Sequence, residues 1–443
     1  MNTIFYNAHI VNEGKSFIGY LGICEHMIIA VGEGYPGNII DKFEKSIDLK
    51  GALLMPGVID DQVHFREPGL THKANIQSES RAAVSGGVTS FMDMPNTKPQ
   101  TITYKDLEAK NERAAEVSLA NYGFFIGATN ENYDELQKVD FALTPGIKVF
   151  LGASTGNMLV NDEDVLDEIF SLKPLIAIHS EDEQIIRTNS EYYRSLFEEV
   201  PISCHPLIRS EEACYKSTKN AVERAMRLGT RLHVLHVSTA RELDLFSDIA
   251  LSNKRITSEV CVHHLWFSDI DYGRLGAKIK WNPAIKTAFD REKLREGVNS
   301  GLIDIVATDH APHLWSEKEG DCLHAASGGP MIQHSLVCML QMVEQGIFSI
   351  EKVVEVMCHR PAELFRIEKR GYLREGYYAD FVVVDKESWT IKKDNILSKC
   401  GWSPLEGASM DYKVRQTYVN GNLVYDNGVI NETYKGMRMR YEI

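Results

Sequence analysis

The feature that most constrains the fold is a regular order of short apolar runs and longer amphipathic stretches through the middle of the chain. This order predicts parallel strands joined by crossover helices, because parallel neighbours need a long connection. Eight runs have strand length: GVIDDQVHF from 57, VTSFMDM from 88, YGFFIGA from 122, GIKVFLGA from 146, LIAIHS from 175, RLHVLHV from 231, ITSEVCV from 256 and DIVATDH from 304. Eight strand-helix units favour a closed TIM-type (β/α)8 barrel over the alternative, an open doubly wound sheet.

Both ends of the chain are typical of β-sheet. Residues 3–35 and the segment from about 372 contain short β-prone pieces separated by glycine and asparagine. Asn420 and Gly421 lie between two such pieces, which predicts a two-residue hairpin turn. With 443 residues the chain exceeds one typical core. We therefore predict β segments at 1–54 and 371–443 around a barrel domain at 55–370.

Composition disfavours several classes of function. A net charge of -14 without a long basic run makes nucleic acid an unexpected partner. The start of the chain lacks a secretory pattern and no apolar stretch is long enough to span a bilayer, so we expect a cytoplasmic protein without a membrane segment. The eight cysteines are scattered without CxxC spacing, which predicts reduced thiols and leaves metal binding to other ligands.

Polar and ionisable residues stand at the carboxyl ends of most of the eight runs, where barrel enzymes build their sites. They are His64, Arg66, Asn96, Lys148, His179, His236, Asp309, His310 and His313. A single histidine after a strand is usually a hydrogen-bonded loop residue. Imidazoles and carboxylates from separate strands of one barrel, however, meet in one pocket and form a ligand set for zinc or a similar divalent ion.

Alternation within the first run assigns its side chains to two faces. Residues 60, 62, 64 and 66 share one face, which we predict to face the pocket, and residues 61, 63 and 65 share the other. By this argument Gln62 and His64 lie in the pocket, whereas Asp61 points away from it.

The first run, DDQVHFREPG, resembles the amidohydrolase superfamily and, within it, the dihydroorotases, whose first barrel strand usually reads DxHxH before Arg, Glu, Pro and Gly. The likeness continues in the family's order through GGVTSFMDMPNTKP, GIKVFLG, IAIHSEDE, LHVLHVSTA, KWNPAI, ATDHAPH and WSPLEG. It covers nearly the whole barrel. The resemblance also implies that the two β segments pair into one small sandwich beside the barrel.

The resemblance assigns metal ligands position by position. It makes His64 a ligand of one zinc ion, and His179 and His236 ligands of a second. Lys148 would bridge the two ions as N-carboxylysine, because a buried neutral lysine can react with carbon dioxide. Asp309 would bind metal and act as general base and acid. A divalent ion lowers the pKa of bound water toward about 7 and polarises the scissile carbonyl.

The same resemblance implies the substrate contacts. Arg66, Asn96 and His313 would hold the ring's carboxylate, and Asn282 with the backbone of residues 327–330 would contact the ring's amide edges. Gln62 is the departure, because it occupies the position of the first histidine of DxHxH. An amide oxygen is a weaker ligand than imidazole, so the number of zinc ions, one or two, stays open.

Three functions compete. The first is an active dihydroorotase of pyrimidine (UMP) synthesis, which reversibly cyclises N-carbamoyl-L-aspartate to L-dihydroorotate with loss of water. The second is an impaired relative that serves as a structural partner of aspartate transcarbamoylase. The third is a hydantoinase or allantoinase. The retained metal and acid-base residues favour an enzyme. The anion clamp, meaning Arg66, Asn96 and His313, favours a small-molecule substrate that carries a carboxylate. Relatives commonly dimerise, so a homodimer is one candidate assembly, and the sequence leaves the oligomeric state open.

Overall fold

The chain is described by a computed structural model over residues 2–152 and 158–442. This description leaves out residues 1, 153–157 and 443. The end of the fourth predicted run and the outermost residue of each predicted β segment therefore lie outside the described residues. The strands are β1 (Asn2–Asn12), β2 (Lys15–Cys24), β3 (Met27–Glu33), β4 (Lys45–Asp48), β5 (Leu53–Pro56), β6 (Val58–Val63), β7 (Val88–Asp93), β8 (Asn121–Phe124), β9 (Ile126–Gly127), β10 (Ile147–Phe150), β11 (Ile176–His179), β12 (Leu232–Val234), β13 (Ile256–Cys261), β14 (Ile305–Ala307), β15 (Phe381–Asp385), β16 (Trp389–Thr390), β17 (Ser409–Met410), β18 (Lys413–Val419), β19 (Asn422–Asp426) and β20 (Val429–Ile430).

The helices alternate with the central strands. They are α1 (Ile76–Ser85), α2 (Tyr104–Val117), α3 (Tyr133–Leu136), α4 (Glu163–Phe170), α5 (Glu183–Leu196), α6 (His205–Ile208), α7 (Glu211–Leu228), α8 (Val262–Trp266), α9 (Tyr272–Leu275), α10 (Ala288–Ser300), α11 (Ser335–Glu344), α12 (Ile350–Val354) and α13 (Arg360–Leu364). Local sequence explains their ends. Helix α7, for example, begins after Ser210, whose side chain accepts from Ala213 N, and ends at Gly229 in the left-handed conformation.

Strands β6 to β14 form the barrel, and all pairings among them are parallel. One residue separates β8 from β9, so the two share one position in the ring. The ring closes where Val63 bridges His310 in parallel and His64 N donates to His310 O at 2.7 Å. Each predicted run contains a barrel strand, so the barrel is confirmed and the open sheet is excluded.

The interior of the barrel is apolar at the amino ends of the strands. Ile59, Met92, Phe125, Ala177 and Ile305 belong to one buried cluster there. A larger apolar cluster fills the layer between strands and outer helices. Because the strands are buried on both faces, polar side chains concentrate at their carboxyl ends.

The two ends of the chain pair in one mixed sheet, in the order β20-β19-β18-β15-β5-β1-β2-β3 with β4 beside β1. Strand β1 is parallel to β4 and β5, and the other pairs are antiparallel. Strand β15 meets β5 with Phe381 opposite Pro56. The predicted hairpin is confirmed, since Asn420 and Gly421 have φ values of 49° and 75°. The boundaries at residues 54 and 370 remain predictions, and β5 crosses the first of them.

Two sequence-based expectations concern cysteines and membranes. All eight cysteines lie within the described ranges and none forms a disulfide, as predicted. Within those ranges, no helix combines the length and the apolar character that a bilayer crossing requires.

Candidate metal centre

A cavity of about 940 Å³ opens at the carboxyl ends of the barrel strands. The predicted site residues all line it: Gln62, His64, Arg66, Asn96, Lys148, His179, His236, Asn282, Asp309 and His313. They come from strands and loops far apart in sequence, so barrel closure is what brings them together. His310 is different, since it is fully buried outside the cavity lining and its Nε2 lies 2.8 Å from Glu79.

Two histidines form one half of the centre. His179 ends β11 and His236 follows β12, and His179 Nδ1 lies 3.0 Å from His236 Nε2. Burial lowers the pKa of both imidazoles, so both rings are neutral and can donate a lone pair. Two ring nitrogens at this separation can both ligate one ion.

Glu181 supports this histidine pair from behind. Its Oε2 lies 3.0 Å from His179 Nε2 and is ion-paired with Arg209. Burial alone would raise the pKa of Glu181, but Arg209 and His179 lower it to about 2. A carboxylate at this place favours the proton on His179 Nε2 and leaves the Nδ1 lone pair toward His236.

The other half of the centre contains Gln62, His64 and Asp309. Asp309 Oδ1 lies 3.0 Å from His64 Nε2 and 3.3 Å from Gln62 Nε2. Asn96 Oδ1 is 2.8 Å from His64 Nδ1, where it accepts the ring proton. His64 Nε2 faces the Asp309 carboxylate, and an imidazole lone pair and a carboxylate oxygen this close need a proton or a cation between them. The pair therefore fits a divalent ion.

Lys148 lies on β10 between the two halves and is 1% exposed, which excludes a surface lysine. Its Nζ lies 4.8 Å from the centre of the Phe150 ring and forms no ion pair with an acid of residues 2–152 or 158–442. Burial lowers its pKa to about 7. A large fraction of the amine is therefore neutral near neutral pH, the form that nucleophilic addition to carbon dioxide requires.

Arg66 forms a cationic wall on one side of the cavity. It is 7% exposed, its Nε donates to Pro312 O at 3.0 Å, and its Nη2 lies 3.1 Å from His313 Nε2. No acid of the described residues forms an ion pair with it. Two of the five guanidinium N–H groups are thus used, and three remain for a ligand.

Backbone conformation marks three of the same residues. Arg66, His236 and Asp309 have φ values of 67°, 42° and 42°, in the left-handed region that non-glycine residues rarely adopt. Such strain persists where surrounding structure holds it and clusters at functional sites. Here it aims side chains from strand ends into the cavity.

The loop at 327–330 was expected to offer its backbone groups to the substrate ring, and one of these groups is already occupied. Gly328 N donates to Lys280 O at 2.8 Å, so this amide is not free for a substrate. Gly328 has a φ of 123°, and a Cβ there would lie 2.6 Å from Ala311 O, so the position requires glycine. Lys318 Nζ donates to Gly328 O and Ala326 O, both at 2.7 Å, and holds the loop in place.

The position of the Asp61 side chain also differs from the one that strand alternation predicts. Its Oδ2 lies 3.2 Å from His233 Nε2 on β12, and Glu259 Oε2 on β13 lies 3.8 Å from the same nitrogen. Strands β6 and β12 are not neighbours, so these side chains meet inside the barrel. The reason is a register shift in β6 between Asp60 and Val63. Asp61 is absent from the cavity lining, as predicted, but it is not on the outer face.

The sequence analysis missed several residues of the site. Lys73 lines the cavity, its Nζ lies 3.1 Å from His313 Nδ1, and it is ion-paired with Glu317 at 2.7 Å. Glu181 stands two residues after His179, so its charge beside a candidate ligand was a usable signal. Arg209, Lys73 and Lys318 carried no such signal, because they lie in loops whose paths depend on the fold.

Comparison with known proteins defines the class. The amidohydrolase family matches residues 53–424, and the chain belongs to that family. A dihydroorotase of Methanosarcina acetivorans is 34% identical over 398 residues, 87% of this chain and 84% of that protein. An allantoinase of Bacillus velezensis is 31% identical over 435 residues, 96% of this chain and 94% of that protein. The L-hydantoinase (dihydropyrimidinase) of Arthrobacter aurescens superposes with a TM-score of 0.92 at 25% identity, covering 97% of both chains.

Proposed function

We propose that this protein is a dihydroorotase that reversibly cyclises N-carbamoyl-L-aspartate to L-dihydroorotate with loss of water. The observation that carries the proposal is the buried Arg66 guanidinium, which faces the cavity with three free N–H groups and no acid partner among the described residues. A ring carboxylate would pair with it in bidentate fashion. An uncharged hydantoin or allantoin ring would leave this charge uncompensated, at a cost of about 1–3 kcal/mol or more.

The ligand set is proposed to hold one or two zinc ions. His179 and His236 would hold one ion, and His64 with Asp309 and Gln62 would hold another more weakly. Lys148 would bridge them after its neutral amine adds to carbon dioxide, giving a carbamate and releasing a proton. When bound, a divalent ion supplies Lewis-acid polarisation of the scissile carbonyl and acidification of water.

Asp309 is the proposed proton carrier. Its Oδ1 faces the cavity beside His64 and Gln62, and its backbone oxygen accepts from Trp281 Nε1 at 3.3 Å, which helps to hold the strand end in place. In ring opening the carboxylate takes a proton from water and returns it to the departing ring nitrogen. Asn282 lines the same cavity, and its Oδ1 has no hydrogen-bond partner among the described residues. We propose that this oxygen accepts a hydrogen bond from a ring N–H of the substrate.

One assay separates the three candidate functions. Purified protein with its metal content measured is offered dihydroorotate, N-carbamoyl-L-aspartate, hydantoin and allantoin. We expect turnover of the first two. Preferred turnover of hydantoin or allantoin would move the protein to the third function, and no turnover of any ring at full metal loading would favour the structural partner of aspartate transcarbamoylase.

The Arg66 assignment has its own test. In Arg66→Gln we expect KM for dihydroorotate to rise by about 10-fold or more, because a charge-assisted pair is lost, while any hydantoin turnover changes little. Arg187→Gln, an exposed arginine on α5, is the matched control. Equal losses for charged and uncharged rings would contradict the clamp.

The expected setting of this activity follows from the same proposal. A pyrimidine-synthesis enzyme would act in the cytoplasm, as a homodimer or together with aspartate transcarbamoylase. Size-exclusion chromatography with light scattering, alone and with that enzyme added, measures which assembly forms.

A further inference from the structure

A second cavity, of about 840 Å³, lies at the opposite end of the barrel from the metal centre. Its lining includes Leu175, Leu232 and Thr257, which stand at the amino ends of β11, β12 and β13. Residues 362–377, which lead from the barrel to the terminal β-sheet, supply another wall. No predicted site residue lines this cavity.

The charge of this cavity is opposite to that of the whole chain. Seven arginine or lysine residues and two acids line it among the described residues, in a chain with a net charge of -14. Three of the cations have an acid partner: Lys254 pairs with Asp304, Arg370 with Asp380, and Arg374 with Glu13. The other four, Arg231, Arg255, Arg366 and Lys369, form no ion pair with any residue of 2–152 or 158–442.

Arg231 is the most buried of the four unpaired cations. It is half-buried and its Nη2 donates to Leu364 O at 3.0 Å. Burial and the neighbouring charge of Arg366 lower its pKa to about 10. Two guanidinium groups that repel each other in a concave setting favour a bound anion, because its charge offsets their repulsion.

Within the described residues, neither acid of the lining forms an ion pair with these four cations. Glu363 accepts a hydrogen bond from the Tyr372 hydroxyl, and Glu442 is exposed. The floor of the cavity is apolar, with Leu251, Leu364 and Ile367 beside Leu175. The cavity therefore combines a cationic rim with an apolar base, and its volume is that of small-molecule sites.

We propose that this second cavity binds a small phosphorylated molecule, with its phosphates on Arg231, Arg255, Arg366 and Lys369. Phosphate suits the arrangement because its oxygens pair with guanidinium groups in bidentate fashion and because several unpaired cations match a multiply charged anion. The apolar floor would receive the organic part of the ligand, as in a nucleotide. This site is independent of the proposed activity, since it shares no residue with the metal centre.

Isothermal titration calorimetry of the full chain with pyrophosphate, ATP and adenosine tests the proposal. We expect pyrophosphate and ATP to bind, ATP more tightly, and adenosine alone to bind weakly. Arg231→Gln keeps a donor for Leu364 O and should weaken pyrophosphate binding by about 10-fold or more. Lys369→Gln, at an exposed position, should weaken it less and serves if Arg231→Gln is poorly folded.

Two further variants separate this site from other cations. Arg187→Gln removes an exposed arginine elsewhere and should not change binding, and Arg66→Gln removes the cation of the first cavity and should not change it either. Absence of pyrophosphate and ATP binding at millimolar concentration would overturn the proposal. So would equal weakening by Arg187→Gln, or loss of binding in Arg66→Gln with retention in both Arg231→Gln and Lys369→Gln.

Discussion

The two halves of the candidate metal centre are built differently. In one half, His179 and His236 present nitrogens 3.0 Å apart, and Glu181 and Arg209 stand behind His179. In the other, His64 and Asp309 approach to 3.0 Å, but the third position holds the amide of Gln62. Imidazole is the better zinc ligand, so affinity should be unequal between the halves. The supported histidine pair can anchor an ion, while the Gln62 half contains Asp309, the proposed acid-base group.

Removing that acid-base group should have the largest effect. In Asp309→Asn we expect kcat for dihydroorotate to fall by about 10²–10⁴-fold, because proton transfer is lost, while the His179 half still binds metal. Steady-state kinetics and elemental analysis measure the two quantities. Asp248→Asn, at an exposed position, is the control. A wild-type rate in Asp309→Asn would remove Asp309 from the mechanism.

The second-largest expected effect is the difference in zinc affinity between the His179 half and the Gln62 half of the centre. His179→Ala should lower zinc affinity by more than the roughly 10–100-fold that the loss of a supporting hydrogen-bond partner costs. Gln62→Ala should lower it far less, because an amide contributes little. Competition with a chelator gives both constants. Equal losses in the two variants would show that Gln62 binds as strongly as a histidine.

Restoring the family's histidine should sharpen the same comparison. In Gln62→His we expect more zinc per chain, and about 10-fold tighter binding of the weaker ion, because imidazole replaces an amide oxygen. Gln345→His adds a histidine at an exposed position and controls for unspecific binding. Unchanged zinc content in Gln62→His would mean that the two halves are already equivalent.

The last prediction concerns folding stability and depends on two buried acids, Asp61 and Glu259. Although burial opposes it, Asp61 and Glu259 raise the pKa of His233 to about 9. Burial, followed by Asp61, raises the pKa of Glu259 to about 8. A raised folded-state pKa gives stability that is present at low pH and is lost as pH rises, for the imidazole and the carboxyl alike.

The free energy of unfolding of metal-free protein should therefore fall between pH 6 and pH 9.5, by an amount on the order of 1–3 kcal/mol. Urea unfolding at several pH values measures it. Asp61→Asn should reduce this dependence, since it removes one of the charges that raise both pKa values, while burial of Glu259 and its contact with His233 remain. A slope unchanged by this substitution would assign the pH dependence to other groups.

The sequence analysis reached the barrel and the cavity lining because both depend on local signals. Each strand run is a continuous apolar segment, and each predicted site residue follows such a run or a family motif. Closure then places residues as distant as 64 and 309 together without further information. Gly328 shows the limit of this approach. A glycine-rich loop is visible in sequence, but the occupation of its amide by Lys280 O depends on how two loops pack.

Asp61 shows a second limit. Period-two alternation is correct for an unbroken strand, and it placed Gln62 and His64 properly. The register shift in β6 turned Asp61 into the barrel interior, where β12 and β13 supply its contacts. A bulge depends on pairing with neighbouring strands, so it cannot be predicted from a pattern within residues 57–65.

The order of runs and the motifs at their ends determined the fold class, the family and the candidate ligand set of this protein, because these are encoded in short contiguous segments. The tertiary structure alone decided which candidate ligands face each other and how Arg66 is left without an acid partner among the described residues. It also placed a basic cavity at the far end of the barrel. These features arise from segments separated by up to hundreds of residues, and their distances and charges exist only after the chain has folded.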